Sequence, residues 1–220
     1  MRYPGGKNHT GTFQKIINLM PPHRVYIEPF LGSGAILRLK KPAAVSIGVD
    51  LVAPKPALLQ VCKFVRGDAL DFLAAYKWQG DELVYCDPPY LLGTRVKQKM
   101  YECEMTDADH RRLLSIINKI PAKVMISGYR CPLYDKALSG WTCETFPVMT
   151  RAHTWRTEAL WFNYPLPEKL HDASFTGNDY RERWRIEKKR RNLVAKFQRM
   201  PPLERAALFS ALVDVMGLPA

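Results

Sequence analysis

Residues Val25–Leu39 read VYIEPFLGSGAILRL. A short apolar run, Val25–Glu28, passes through a turn holding Gly32 and Gly34 into a helical stretch, Gly34–Leu39. Glycines at such a place let the backbone turn tightly and let a ligand approach closely. The same rhythm recurs along the chain. Val45–Asp50 (VSIGVD), Lys63–Arg66 (KFVR), Leu83–Asp87 (LVYCD) and Lys123–Ser127 (KVMIS) are short and nearly continuous in apolar character, as buried parallel strands are. Helices are predicted over Thr12–Leu19, Ala69–Ala75 and Asp107–Ile120. In the last, Thr106 is the N-cap, Asp109 closes a capping box, and Leu113, Leu114, Ile117 and Ile120 share one face. Two late strands, Glu144–Met149 and Ala159–Asn163, with little helix between them, are expected to form an antiparallel edge hairpin. The alternation predicts an open, mostly parallel α/β sheet with helices on both faces.

At 220 residues, with 47% hydrophobic and 25% charged residues, the chain has the composition of an ordinary globular protein. Disordered, collagen-like and coiled-coil classes are excluded. Lys and Arg outnumber Asp and Glu by 33 to 21, which favours a polyanionic partner, nucleic acid first. The five cysteines, at 62, 86, 103, 131 and 143, show no C-x-x-C pair and are read as reduced thiols of a cytoplasmic protein. No apolar run approaches the ~20 residues of a membrane helix, and the first residues carry no apolar signal core.

The character changes after Asn163. Residues 1–164 form the predicted main domain and 165–220 a linker and basic helical extension. Residues 178–200 hold nine Lys and Arg against three Asp and Glu, whereas Leu203–Met216 is apolar and helical, closed by Gly217. The basic stretch is either a phosphate-contacting helix or a solvated one. The apolar stretch offers a route to a partner or a second subunit.

Four groups of residues carry chemistry, each after a predicted strand. The first is Glu28–Gly34. Asp50 stands 18 residues after Gly32, where an acid accepts ribose hydroxyls or caps a helix. Asp68, in Gly67-Asp68-Ala69, either accepts from an adenine amino group or caps the helix that follows. The fourth is Asp87-Pro88-Pro89-Tyr90. Its two prolines fix the backbone and remove two N–H donors, which leaves the carbonyls of Asp87 and Pro88 and the Asp87 carboxylate as acceptors. Rigid acceptors beside a flat Tyr90 ring suit an amino group on a planar base. All four lie at the carboxyl edge of the sheet, where open α/β sheets bind ligands.

With these residues in place, the sequence resembles the S-adenosylmethionine-dependent DNA adenine-N6 methyltransferases whose cofactor motif is N-terminal. The likeness rests on RYPGGK (Arg2–Lys7), EPFLGSG (Glu28–Gly34), Asp50, Asp68, DPPY (Asp87–Tyr90) and the late strand TEALWFN (Thr157–Asn163). It implies a Rossmann-like methyltransferase fold with an antiparallel last strand, S-adenosylmethionine as cofactor and no metal. It also implies transfer of a methyl group to adenine N6 in double-stranded DNA after base flipping. Asp87, Pro88, Pro89 and Tyr90 are the implied catalytic residues. Tyr3, Gly6, Lys7, Glu28, Phe30, Gly32, Asp50, Asp68 and Asp87 are the implied cofactor contacts, Lys7 at the cofactor carboxylate.

In one respect the sequence departs from the family. Many members carry a helical recognition insert between the ribose acid and DPPY, but here Asp50 and Asp87 are 37 residues apart. Nucleic-acid contact is therefore assigned to Leu91–Glu104, through Arg95, Lys97, Lys99 and Tyr101, or to an ordinary solvated hairpin there. A second candidate is the loop Thr150–Arg156, through Arg151 and Arg156, with Trp155 either exposed there or part of the core. An RNA base-amino methyltransferase and a non-catalytic DNA-binding relative remain as alternatives.

Overall fold

A computed structural model describes Lys7 and residues 11–94, 103–149 and 154–217. Seven strands form one sheet in the order β3-β2-β1-β4-β5-β7-β6. They are β1 (Val25–Glu28), β2 (Val45–Asp50), β3 (Lys63–Arg66), β4 (Glu82–Cys86), β5 (Lys123–Gly128), β6 (Thr142–Met149) and β7 (Trp155–Phe162). β1 to β5 pair in parallel, and β7 runs antiparallel between β5 and β6. The predicted open sheet with an antiparallel late hairpin is therefore present. Eight α-helices accompany it among the described residues: α1 (Thr12–Ile17), α2 (Ala35–Leu39), α3 (Pro56–Leu59), α4 (Ala69–Ala75), α5 (Asp107–Ile117), α6 (Pro132–Ala137), α7 (Tyr180–Gln198) and α8 (Pro202–Met216).

Period-two alternation divides the central strands between two faces. Val25, Ile27, Val84, Cys86, Val124, Ile126, Ala159 and Trp161 join one core with Leu70 and Leu73 of α4, Leu113, Leu114 and Ile117 of α5, and Tyr134 of α6. Tyr26, Glu28, Tyr85, Ser127 and Glu158 take the opposite face. There, Lys15 of α1 lies over Phe146 of β6, and Lys40, at the end of α2, lies over Tyr26. This second face is polar for a buried one. Tyr26 donates to Glu28, and Tyr85 and Ser127 share a hydrogen bond of 2.8 Å.

Several element ends differ from the sequence reading, for local reasons. β7 begins at Trp155, four residues before the predicted Ala159. Only Ala159–Phe162 pairs with both β5 and β6; Trp155–Glu158 pairs with β6 alone. The doubly flanked half is apolar, and the singly flanked half carries the mixed sequence WRTE. Trp155 and Arg156 thus lie on a strand rather than in a loop, and Trp155 is exposed. α5 stops at Ile117 because the Asn118 side chain turns back to donate to the Leu114 and Ala137 carbonyls. Ile120 is nonetheless buried. Pro147, which cannot donate to a ladder, sits in edge strand β6, where one side of the backbone needs no partner.

The chain forms two compact units, 1–173 and 174–220. The segment after β7 returns to the first: the His171 amide donates to the Met20 carbonyl, and the Asp172 carboxylate accepts from the Lys41 amide. In the second unit, α7 is capped by Asp179 and α8 ends at Gly217 in the left-handed conformation. Neither helix contains a buried residue.

The turn after β1 is held by its glycines. Gly34 has φ 58°, and a Cβ there would come within 2.5 Å of Leu58. At Gly67, after β3, a Cβ would meet nothing within 4 Å. Gly34→Ala is expected to cost about 2 kcal/mol, from left-handed strain plus displacement of Leu58, and Gly67→Ala well under half of that. Urea unfolding of the two variants measures the difference.

Candidate active site

The strand order reverses between β1 and β4, whose connections leave to opposite sides, so the carboxyl ends of these two strands flank a crevice. Glu28 ends β1 on one side of it. Asp87 follows β4 on the other, and Pro88 ends the ladder because it has no N–H to offer.

Asp87 and Tyr90 are held by a buried ionic cluster. The Lys7 ammonium donates to Asp87 Oδ1 at 2.8 Å and to the Tyr90 hydroxyl at 2.6 Å, and lies 2.8 Å from Glu158 Oε1. The Tyr90 hydroxyl in turn donates to Glu158. Lys7 and Glu158 are buried, and the Asp87 side chain remains 19% exposed. Burial opposes charge on Lys7, but Asp87 and Glu158 together outweigh it and hold the ammonium above its ordinary range. For Asp87 burial is the leading cause of an upward shift. Lys7 pulls it back and Glu158 pushes it up again, leaving it at about 6. Burial, then the charges of Glu158 and Asp87, push the Tyr90 phenol well up, so it stays a neutral donor.

Tyr90 meets a second aromatic side chain. Its ring packs edge-on against Tyr129, just after β5, with centroids 4.9 Å apart. The Arg156 guanidinium lies 5.2 Å from the Tyr129 ring and donates to the Thr94 carbonyl at 2.9 Å. Tyr129, Arg156 and Thr94 border an open cleft of about 600 Å³ that also includes Gly93, Arg130 and Thr157.

Across the crevice, Asp50 accepts from the Gly32 amide at 2.7 Å and the Val52 amide at 3.0 Å. A carboxylate offers about four acceptor sites, so Asp50 retains capacity for hydroxyl donors. The open backbone of Gly67 follows the next strand. Phe30 is partly buried against the core. Asp68 accepts from the Leu70 and Asp71 amides and so caps α4, one of the two roles its position allowed. Glu28 accepts from the Tyr26 hydroxyl and the Leu37 amide. Burial, reinforced by the charge of Asp87, raises it to about 8 against those two hydrogen bonds.

The structure thus brings together Lys7, Asp87 and Tyr90 from the sequence reading. Lys7 faces the acceptor turn, although the resemblance implied a cofactor carboxylate for it. Tyr3, Gly6, Arg95, Lys97, Lys99, Tyr101 and Arg151 lie outside the described residues. Sequence reasoning missed Glu158 and Tyr129. Glu158 left a signal, an acid directly before the apolar run Ala159–Phe162; Tyr129 left none.

Residues 55–154 match the D12 class N6 adenine-specific DNA methyltransferase family. That span is a little under half of the chain. It contains Asp68, the 87–90 turn and Tyr129, and it leaves out the Glu28–Gly34 turn and Glu158. The match bears out the family resemblance and supports S-adenosylmethionine-dependent methyl transfer. No curated protein matches the sequence. Among solved structures, the chain is similar to TrmN from Thermus thermophilus, at 16% identity and TM-score 0.43, over 68% of this chain and 46% of that one. It is also similar to the 23S rRNA methyltransferase ErmE, at 12% identity and TM-score 0.48, over 84% of this chain and 76% of that one. A third likeness is magnesium protoporphyrin IX methyltransferase from Synechocystis PCC 6803 with bound SAM, at 14% identity and TM-score 0.42, over 69% of this chain and 74% of that one. Likenesses of this size say nothing about substrate. Among the described residues no helix is long and apolar enough to cross a membrane.

The Glu28 shift has a consequence for stability. In the folded state Glu28 keeps its proton up to about pH 8, against an ordinary value of 4.5. Between those values the folded chain binds more protons than the unfolded one, so this group's contribution falls as pH rises. Glu28→Gln keeps an oxygen to accept from Tyr26 and Leu37 but has nothing to ionise. Its melting temperature relative to the natural protein is expected to rise from pH 5 to pH 8. Parallel pH profiles would contradict the buried, protonated state.

Proposed function

We propose that the chain transfers a methyl group from S-adenosylmethionine to the N6 amino group of adenine in double-stranded DNA, with the base flipped out of the helix onto the 87–90 turn. The observation that carries this reading is the acid-Pro-Pro-Tyr turn at the switch point, its carboxylate and phenol oriented by one buried lysine. Adenine N6 lies within the stacked duplex, so the base must be extruded, at a cost of a few kcal/mol.

The donor set suits the cofactor. Asp50 is the ribose acceptor, Phe30 an apolar neighbour, and Gly32 and the Gly67 backbone permit close approach. Tyr3, Gly6, Glu28 and Asp68 complete the proposed cofactor side, with Lys7 acting on it only through Asp87. When bound, S-adenosylmethionine supplies an electrophilic methyl carbon on a positively charged sulfur that departs as a neutral thioether. Tyr90 offers its ring to the flipped adenine. The Asp87 carboxylate and the Pro88 carbonyl accept the two N6 hydrogens, which leaves the nitrogen lone pair directed away from them. Positioning and electrostatics do most of this work, because no covalent nucleophile is needed. After methylation the nitrogen carries one proton too many. Asp87, held near 6, takes it and releases it to water at neutral pH.

On the DNA side, Arg156 and the cleft beside Tyr129 accept backbone close to the flipped base. Arg95, Lys97, Lys99, Tyr101 and Arg151 supply further phosphate and stacking contacts. The cytoplasm, where reduced thiols persist, is the proposed location.

Transfer of a radiolabelled methyl group to duplex DNA and to structured RNA of matched base content tests the reading. Label on adenine N6 of the duplex is expected. Faster labelling of the RNA would replace DNA as the substrate. Asp87→Ala is expected to lower the rate by about a hundredfold or more with an unchanged circular dichroism spectrum. DNA affinity should fall steeply with salt as phosphate contacts release counterions, and a flat response would overturn the DNA assignment.

A further inference from the structure

We propose that Glu158 of β7 is a positioning residue for this reaction, fixing the Tyr90 phenol and sharing Lys7 with Asp87; the proposal rests on the methyl-transfer reading above.

Glu158 is 4% exposed, on a strand whose next four residues are apolar. A buried carboxylate costs several kcal/mol unless paired, and a well-packed apolar substitute for a buried ion pair is often neutral or stabilising. The fold alone therefore gives little reason for an acid here. Its contacts give one, because both known partners of Glu158 are groups of the acceptor turn's own cluster, Lys7 and Tyr90.

The first consequence is geometric. The Tyr90 hydroxyl accepts from Lys7 and donates to Glu158, so both of its hydrogen-bonding functions are used. With Tyr129 in a T-shaped contact 4.9 Å away, the side chain is held at its tip and at its ring. A stacking surface fixed in advance spares the ordering cost when adenine arrives.

The second consequence is electrostatic. One ammonium serves two carboxylates. If Glu158 were neutral, Lys7 would serve Asp87 alone and make it a weaker base. The groups around Asp87 are Lys7 and Glu158, Tyr90 beside it, Tyr85 and Cys86 of β4, Tyr26 and Glu28 of β1, and Tyr134 of α6. Burial raises Tyr26, Glu28, Tyr85, Cys86, Tyr90 and Tyr134, so all six are neutral near pH 6. Lys7 and Glu158 are left as the charged neighbours that set Asp87 among the described residues.

The test uses the full chain with Glu158→Gln, Glu158→Ala and Tyr90→Phe. Glu158→Gln keeps an acceptor for the phenol and removes the charge. The acid limb of its rate profile is expected to move to lower pH by about half a unit or more. Glu158→Ala removes both, and kcat should fall about tenfold while KM for DNA rises and the Kd for S-adenosylmethionine stays within about twofold. Tyr90→Phe leaves Glu158 and Lys7 in place and should raise KM for DNA. A coincident acid limb in Glu158→Gln, or an unchanged KM in Tyr90→Phe, would overturn the proposal. If the natural protein methylates no DNA, the substrate reading fails by itself. Carbon-13 titration of the Asp87 carboxyl without DNA still tests Glu158: a lower midpoint in folded Glu158→Gln supports the proposal, and equal midpoints end it.

Discussion

One ammonium group, that of Lys7, organises the acceptor turn. It is buried with two carboxylates and a phenol, and each of its three donors has a partner within 2.8 Å. A lone charge in that position would cost far more than the fold could tolerate. The cluster is stable because it is complete, and its completeness couples distant segments. Lys7 comes from the N-terminal stretch, Asp87 and Tyr90 from the end of β4, and Glu158 from β7. Pairing of β7 beside β5 is therefore a precondition for the geometry of the cluster at the end of β4.

The sheet supplies the frame for that cluster. Its two faces differ in character: one is closed by α4, α5 and α6 over aliphatic residues, while the other carries Tyr26, Glu28, Tyr85, Ser127 and Glu158, with Lys7 paired to Glu158. Charges on the second face act on one another at short range and little water intervenes. Burial raises both Glu28 and Asp87, and the charge of Asp87 adds to the first shift as that of Glu158 adds to the second.

Much of this was legible in the residues. The parallel strands β1, β4 and β5 announced themselves because they are buried on both faces, whereas edge strand β3, read from the sequence as buried too, is largely exposed. The 87–90 turn stood out because two prolines follow an acid. The Asp109 capping box was readable for the same local reason, and the structure contains it. Less legible was anything set by pairing across the chain. β7 looked as if it began four residues later because apolarity marks only the half with strands on both sides. Glu158 passed unnoticed because its partners are 68 and 151 residues away in sequence. The cap role of Asp68 and a contact to an adenine amino group share the same position, and only the observed hydrogen bonds show that the cap is made.

The glycine turn after β1 has a further property. Leu31 is buried and lies against both Gly34 and Gly48, and Leu58 closes on Gly34 as well. Aliphatic side chains occupy the room that two missing methyl groups leave, so the loop is braced from below rather than slack. A brace of this kind gives the proposed cofactor's nucleoside a surface that already has its final form. Association there should be quick, with little slow conformational adjustment to wait for.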